Sequence, residues 1–226
     1  MQEGMRLFRV APVCVVVALL LLHGCSGGPQ FVAKEEPWRK DVERSCLASG
    51  LVADNRFVQA KSALGGPSVC GALQPFDMTA AAAGRVSMKP SALLVCPMIP
   101  AVERWVQEVV EPAAKYYLRQ PIVEFKVAAS YACRPRNNVP GGKLSEHGHA
   151  NALDISAFHL ADGRTVTVKE GWRGRPEEQA FLRAVHEGAC HTFTTVLGPN
   201  ANAYHHDHFH FDLARHGTRG DMRVCQ

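Results

Sequence analysis

His208-Phe209-His210-Phe211-Asp212-Leu213 alternates polar and apolar residues with a period of two. A strand of that pattern buries Phe209, Phe211 and Leu213 and sets His208, His210 and Asp212 on the opposite face. Same-face neighbours on a strand lie about 6.6 Å apart, so one histidine can hold a metal while the next reaches a water or substrate bound to it. Well upstream, Ser145-Glu146-His147 and Asp154 supply a further imidazole and a carboxylate.

Two neutral imidazoles and one carboxylate form a mixed nitrogen and oxygen donor set of three. That set favours Zn2+ and leaves a fourth tetrahedral position for water, the pattern of a catalytic rather than a structural site. Zinc in such a site brings the pKa of its water to about 7 and polarises an amide carbonyl, so amide hydrolysis is the expected reaction. His186-Glu187-Gly188-Ala189-Cys190 opens like a second zinc motif, but Cys190 stands where a histidine is required and is better used in a disulfide. Ser145 lacks a nucleophile-elbow context, which argues against serine hydrolysis and leaves it a hydrogen-bonding role in the loop beside the metal.

The first residues speak to location. Arg6 and Arg9 precede an apolar run from Val10 to Leu22, the length of a signal-peptide core and too short for an ordinary membrane span. Leu22-His23-Gly24-Cys25 resembles the lipobox of bacterial lipoproteins. Residues 1–24 are therefore expected to be a lipoprotein-type signal peptide, with Cys25 the lipidated first residue of the mature chain; cleavage by the general signal peptidase is the alternative. Ser26 does not favour retention at an inner membrane, so the expected location is the periplasm of the cell envelope, lipid-anchored to the outer membrane. Residues 25–45, with Gly27-Gly28-Pro29 and the charged Lys34-Glu35-Glu36, read as a tether. Residues 46–226 are long enough for one domain with its own core.

The 226 residues carry 25 Lys and Arg against 21 Asp and Glu, a net charge of +4. Loss of Arg6, Arg9 and Glu3 with the signal lowers this by one, too balanced a surface to predict nucleic acid as a partner. Cys14 leaves with the signal and Cys25 carries lipid. Cys46, Cys70, Cys96, Cys133, Cys190 and Cys225 remain, an even set suited to three disulfides in an oxidising compartment. None forms a Cys-x-x-Cys pair, and their spacing does not choose a connectivity.

Val102, Trp105, Val106, Val109, Ala113 and Tyr116 mark a helical stripe over 101–118, with Pro112 expected to kink or divide it. Residues 122–129 alternate as a strand and run into Ser130-Tyr131-Ala132-Cys133-Arg134, which places Arg134 just beyond a strand end. A turn-rich stretch over 137–143 leads to His147 and a strand through Asp154, and Asp162-Gly163 is a hairpin turn before Thr165. Pro176 with Glu177 and Glu178 opens a helix that turns Phe181, Leu182, Val185 and Ala189 inward. Residues 194–197 add a short strand. The pattern is α+β.

Ser145-Glu146-His147-x6-Asp154 with His208-x-His210 resembles the signature of the superfamily that holds lysostaphin-type endopeptidases, D-Ala-D-Ala metallopeptidases and the hedgehog signalling domain. Several stretches resemble the bacterial extensin-like C-terminal domain family over approximately 46–225: Tyr131-Ala132-Cys133-Arg134, Leu144-Ser145-Glu146-His147, Asn151-Ala152-Leu153-Asp154-Ile155, Ala189-Cys190-x-x-Phe193, Val196-Leu197-Gly198-Pro199 and His206-Asp207-His208-Phe209-His210. The resemblance implies a small antiparallel sheet carrying the ligands, flanked by helices, with zinc held by His147, Asp154 and His210. It also implies a substrate-binding role for Arg134, on a carboxylate or on charge developing at the attacked carbonyl.

For the base, strand alternation points His208 toward the metal, whereas Asp207 stands three before the ligand, where the dipeptidase branch carries a glutamate. His208 is expected, since a group with an ordinary pKa of about 6.5 suits proton transfer near neutral pH. Relatives carry Gly where this chain has Ala150, and alanine tolerates a positive φ poorly. His205 and His206 read either as groups behind the ligands or as a solvated cluster, and His149, His159, His191 and His216 as surface residues. The expected function is an exported zinc-dependent peptidase acting on peptidoglycan peptides, as endopeptidase or carboxypeptidase. A catalytically silent wall-binding or envelope-organising lipoprotein is the alternative.

Overall fold

The computed structural model describes Met1 and residues 31–226. The expected lipidation site Cys25, and the expected signal peptide apart from Met1, lie outside the described residues. Among the described residues no helix is long and apolar enough to cross a membrane.

The first half of the chain forms α1 (Pro37–Ala48), β1 (Val58–Ala60), β2 (Leu64–Gly65), β3 (Gly71–Ala72), β4 (Phe76–Ala81), β5 (Val86–Leu94), α2 (Met98–Trp105) and α3 (Glu111–Ala113). The second half forms β6 (Ile122–Ala129), β7 (Ala152–Leu160), β8 (Thr165–Thr167), α4 (Val168–Gly171), α5 (Pro176–Ala189), β9 (Thr195–Leu197), β10 (Phe209–Asp212) and β11 (Val224–Cys225). Nine strands make one sheet in the order β1-β4-β5-β6-β7-β10-β9-β11, with β8 also on β7, while β2 and β3 pair separately. The pairing is antiparallel except between β5 and β6 and between β9 and β11.

The sheet is thus larger and more mixed than the small antiparallel one expected. The additional strands β1, β4 and β5 do bury alternate residues, Phe76, Met78 and Ala80 on β4 and Val86 and Met88 on β5. Pro90 and the run Ala80 to Ala83 blur that period in the sequence, because neither carries a strand-forming side chain.

β7 is the pivot of the sheet. One edge pairs with β6, while β10 takes Ala152 to Ile155 on the other edge and β8 takes Ala157 to His159. The register sets His210 opposite Asp154 on one side and Ala129 opposite Asp154 on the other. Phe209 and Phe211 point to the helix-covered face, and Phe211 packs 4.9 Å from the Trp105 ring. Trp105 is fully buried, donates its indole N–H to the Val185 carbonyl at 2.9 Å, and so ties α2 to α5 over the aromatic core. His210 therefore faces away from that core, as alternation requires.

Pro112 does not divide its helix. The backbone stays helical from Met98 to Leu118, with π-helical turns over Val106–Val110 and Ala114–Leu118 on either side of α3. Proline removes an amide donor and crowds the preceding turn, and the wider π turns relieve both effects without a break.

The segment expected as a tether also differs. Residues 37–45 lie in α1, where buried Glu43 accepts the Leu73 and Gln74 amides at 3.0 and 2.9 Å. Further upstream, Val32 exchanges backbone hydrogen bonds with Gly142 and Leu144 at 2.8 and 2.9 Å. Charged and backbone groups make these attachments, so no apolar stripe announced them. Three disulfides, Cys46–Cys96, Cys70–Cys133 and Cys190–Cys225, use the six expected cysteines. Cys190 is thereby removed from any zinc motif, and His186 instead bonds the Gln226 carbonyl at 3.0 Å.

Candidate metal centre

Asp154 reaches the site from β7 and His210 from β10, while His147 sits on a short 3-10 turn, Glu146–His149, just before β7. Ser145 caps that turn by accepting the His147 amide at 3.4 Å. Ala150 closes it at φ 51° and ψ 25°, fully buried, in the left-handed conformation that an alanine tolerates poorly. The strain is about 1–2 kcal/mol. The bonds from its amide to the His147 carbonyl at 3.1 Å, and from the Val95 amide to its own carbonyl at 2.9 Å, help hold it there.

The three side chains converge. His147, Asp154 and His210 are buried, and each offers a ligand atom within 4.8 Å of the others. The Nδ1 of His147 lies 2.5 Å from the Ser130 carbonyl, which can only accept, so Nδ1 carries the proton. This leaves a lone pair on Nε2, buried without a hydrogen-bond partner and 3.1 Å from Asp154 Oδ2. Two electron-rich atoms so placed repel unless a cation or proton lies between them. The His-Asp-His group fits a metal ion on that ground and by its donor chemistry.

His210 Nδ1 lies 2.8 Å from Asp154 Oδ1, and its Nε2 lies 3.0 Å from Asp212 Oδ2. Burial opposes charge on His210, but hydrogen bonds to the two carboxylates outweigh it and raise the pKa to about 10. Burial alone would raise the pKa of Asp154; its hydrogen bond with the charged His210 ring helps hold it well below the usual carboxylate range. Asp212 also accepts the Ala214 amide at 2.9 Å, which fixes the carboxylate behind the ring. Its position two residues after His210 was visible in the alternation, but nothing in the sequence assigned it a partner.

The two base candidates take different places. His208 turns Nε2 toward the centre, 3.6 Å from Asp154 Oδ2, while Asp207 Oδ1 holds its Nδ1 from behind at 2.8 Å. Arg134 stands in the wall of the same cleft, about 340 Å³ in volume, beside Ser145 and His205. It is placed there because Ser145 donates its amide to the Arg134 carbonyl at 3.1 Å, and Ala132 donates to the His147 carbonyl at 3.2 Å.

His205 belongs to the site and His206 does not. The His205 ring is buried, lies 5.2 Å from that of His208 and is held on Asn202 at 2.8 Å. Burial, with the positive charge of His210 nearby, brings its pKa down to about 4. His206 is exposed and bonds the Ala203 carbonyl at 2.8 Å. His216, expected at the surface, is half-buried in the cleft wall with Nε2 2.7 Å from Thr195 Oγ1. His149 is also half-buried, beneath α1, whereas His191 is exposed.

The model of one family, the extensin-like protein C-terminus, matches residues 44–226. The chain belongs to that family. Comparison with curated proteins and with solved structures found no match. The extensin-like match takes in every residue of the metal centre and the cleft wall named above. It begins inside α1, after Arg39.

Proposed function

We propose that this extensin-like domain is an exported, zinc-dependent peptidase that hydrolyses amide bonds in peptidoglycan peptides, as an endopeptidase or a carboxypeptidase. The observation that carries the reading is the unpartnered Nε2 of His147 beside Asp154 and His210 on a cleft that also holds His208 and Arg134. The likeness of Ser145-Glu146-His147-x6-Asp154 and His208-x-His210 to the D-Ala-D-Ala metallopeptidase and hedgehog signature supports it. So does the predicted lipidation of Cys25, which would anchor the domain at the outer membrane, facing its polymeric substrate in the periplasm.

His147, Asp154 and His210 would hold the zinc, which when bound would supply Lewis-acid polarisation to an amide carbonyl and a water. The protein's own groups do the rest. Asp212 keeps the far nitrogen of His210 engaged and so fixes the ring. His208, with Nδ1 held by Asp207, has Nε2 free to accept a proton from the attacking water and return it to the leaving amine. Arg134 offers guanidinium N–H groups to a substrate carboxylate or to charge developing on the carbonyl oxygen. His205, uncharged at neutral pH, adds no repulsion to a cationic centre.

A catalytically silent wall-binding lipoprotein is the second reading, favoured by the strained Ala150 beneath the metal loop. Digestion of purified sacculi with zinc-loaded and chelated protein, with products read by mass spectrometry, separates the two. Peptides or terminal amino acids released, or cross-linked muropeptides lost on subsequent muramidase digestion, by the zinc-loaded protein alone are the expected result. Retention on sacculi with no released product and no change in muropeptide composition in either condition would replace the peptidase reading with the binding one.

A further inference from the structure

Glu146 stands next to His147 in the cleft wall, yet it is not one of the three grouped donors, and its side chain is 3% exposed. Its two carboxylate oxygens receive the two terminal nitrogens of Arg39, at 2.6 and 2.7 Å, from a helix 107 residues away in sequence. Arg39 is itself braced by Glu36, whose carboxylate accepts its Nε at 2.7 Å, and its guanidinium stacks 4.5 Å from the Trp38 ring. Asn151, which directly follows the turn, donates to the same Glu146 carboxylate at 2.8 Å and gives its amide to the Glu146 carbonyl at 3.1 Å. Val32 pairs with Gly142 and Leu144 immediately upstream. The turn that presents His147 is thus gripped from behind by residues 32–39, which precede the segment matched by the family model.

We propose that Arg39, acting through Glu146, is a positioning residue for His147, so that the functional unit begins near Val32 rather than at residue 44. The inference rests on the metal-centre reading for its effect on zinc, although the geometry of His147 bears on it independently. A bidentate arginine fixes both the distance and the plane of a carboxylate, which a solvated one does not have. Loss of Arg39 leaves the buried Glu146 carboxylate with only the more distant Arg136, 3.8 Å from Oε1, as a countercharge. It would then swing toward water and take the neighbouring backbone of His147 with it. His147 holds its Nε2 toward Asp154 only while its Nδ1 proton stays on the Ser130 carbonyl, so a small rotation of the turn disturbs both.

The test uses the full chain and two readouts. One is zinc affinity by competition with a chromophoric chelator; the other is exchange of the His147 imidazole N–H in the metal-free protein by 15N NMR. Arg39→Ala should weaken zinc at least tenfold and speed that exchange at least tenfold, with Arg39→Lys between it and the parent because a lysine makes a single contact. Arg39→Ala combined with Glu146→Ala should be no worse than Arg39→Ala alone, since both act through one bond. Val185→Ala, a core change in α5, controls for lost stability and should stay within threefold of the parent in both readouts. Unchanged exchange in Arg39→Ala, or an equal effect of Val185→Ala at the same loss of Tm, overturns the positioning role. If the parent takes up no zinc the metal reading fails, and the imidazole signal alone decides whether Arg39 positions His147.

Discussion

At the scale of single residues, the site sorts its two base candidates by direction. His208 presents Nε2 to the centre and Asp207 lies behind it, so the two should act as a pair of unequal members. His208→Ala should retain zinc and lower turnover by about 10²–10⁴-fold, the usual worth of general acid–base assistance. Asp207→Ala should cost less, since it removes only the group that orients the ring. The proposed roles are reversed if steady-state assays on muropeptides find Asp207→Ala inactive and His208→Ala active with zinc intact.

The shifted groups set a pH dependence of the same site. His210 lies above its ordinary value, so its contribution to metal-free stability is complete below about pH 6.5 and is lost as pH climbs toward about 10. Asp154 lies below its ordinary value, so its contribution is present above about pH 4 and is lost as pH falls. The trio therefore stabilises the metal-free protein best between these limits. Zinc bound as proposed would have to displace a proton from His210, so its affinity should rise across the upper part of this range. Thermal melts with and without zinc should show a larger increase in Tm at pH 8 than at pH 6. An increase that shrinks at the higher pH would remove His210 from the ligand set.

At the scale of elements, α1 is attached by polar groups. Glu43 on α1 satisfies the amides of Leu73 and Gln74, which lead into β4. Buried donors deprived of a partner cost about 1–3 kcal/mol. Glu43→Ala should therefore lower the unfolding free energy read from urea titration by an amount in that range, with a matching fall in the midpoint, while Glu43→Gln, which keeps one acceptor, loses less. The Cys46–Cys96 bridge still holds the end of α1, so the protein should remain folded. A midpoint unchanged by Glu43→Ala would show that α1 is held by the disulfide and the Arg39 contact alone.

At the scale of the whole molecule, the proposed envelope location rests on Cys25. Cys25→Ser should shift the protein from the membrane fraction to the soluble periplasm or leave an unprocessed precursor, because the acylated sulfur is lost. An unlipidated mature mass for the parent, with its fractionation unaltered by the change, would reject the anchor. Within the domain, local pattern was enough wherever the period was strong. Residues 122–129 alternate and are β6, Pro176 opens α5, and the phenylalanines of 208–213 enter the core and leave His210 on the other face. The donor types of the metal group and the use of six cysteines in three bridges were legible for the same reason, since each depends on residue identity and short-range spacing. Which cysteines pair, how β1, β4 and β5 enlarge the sheet, why Asp212 stands behind His210, and how Arg39 reaches Glu146 were decided only by the tertiary structure. These contacts join residues far apart in the chain through single polar or covalent bonds, and a bond of that kind leaves no periodic trace in the sequence on either side of it.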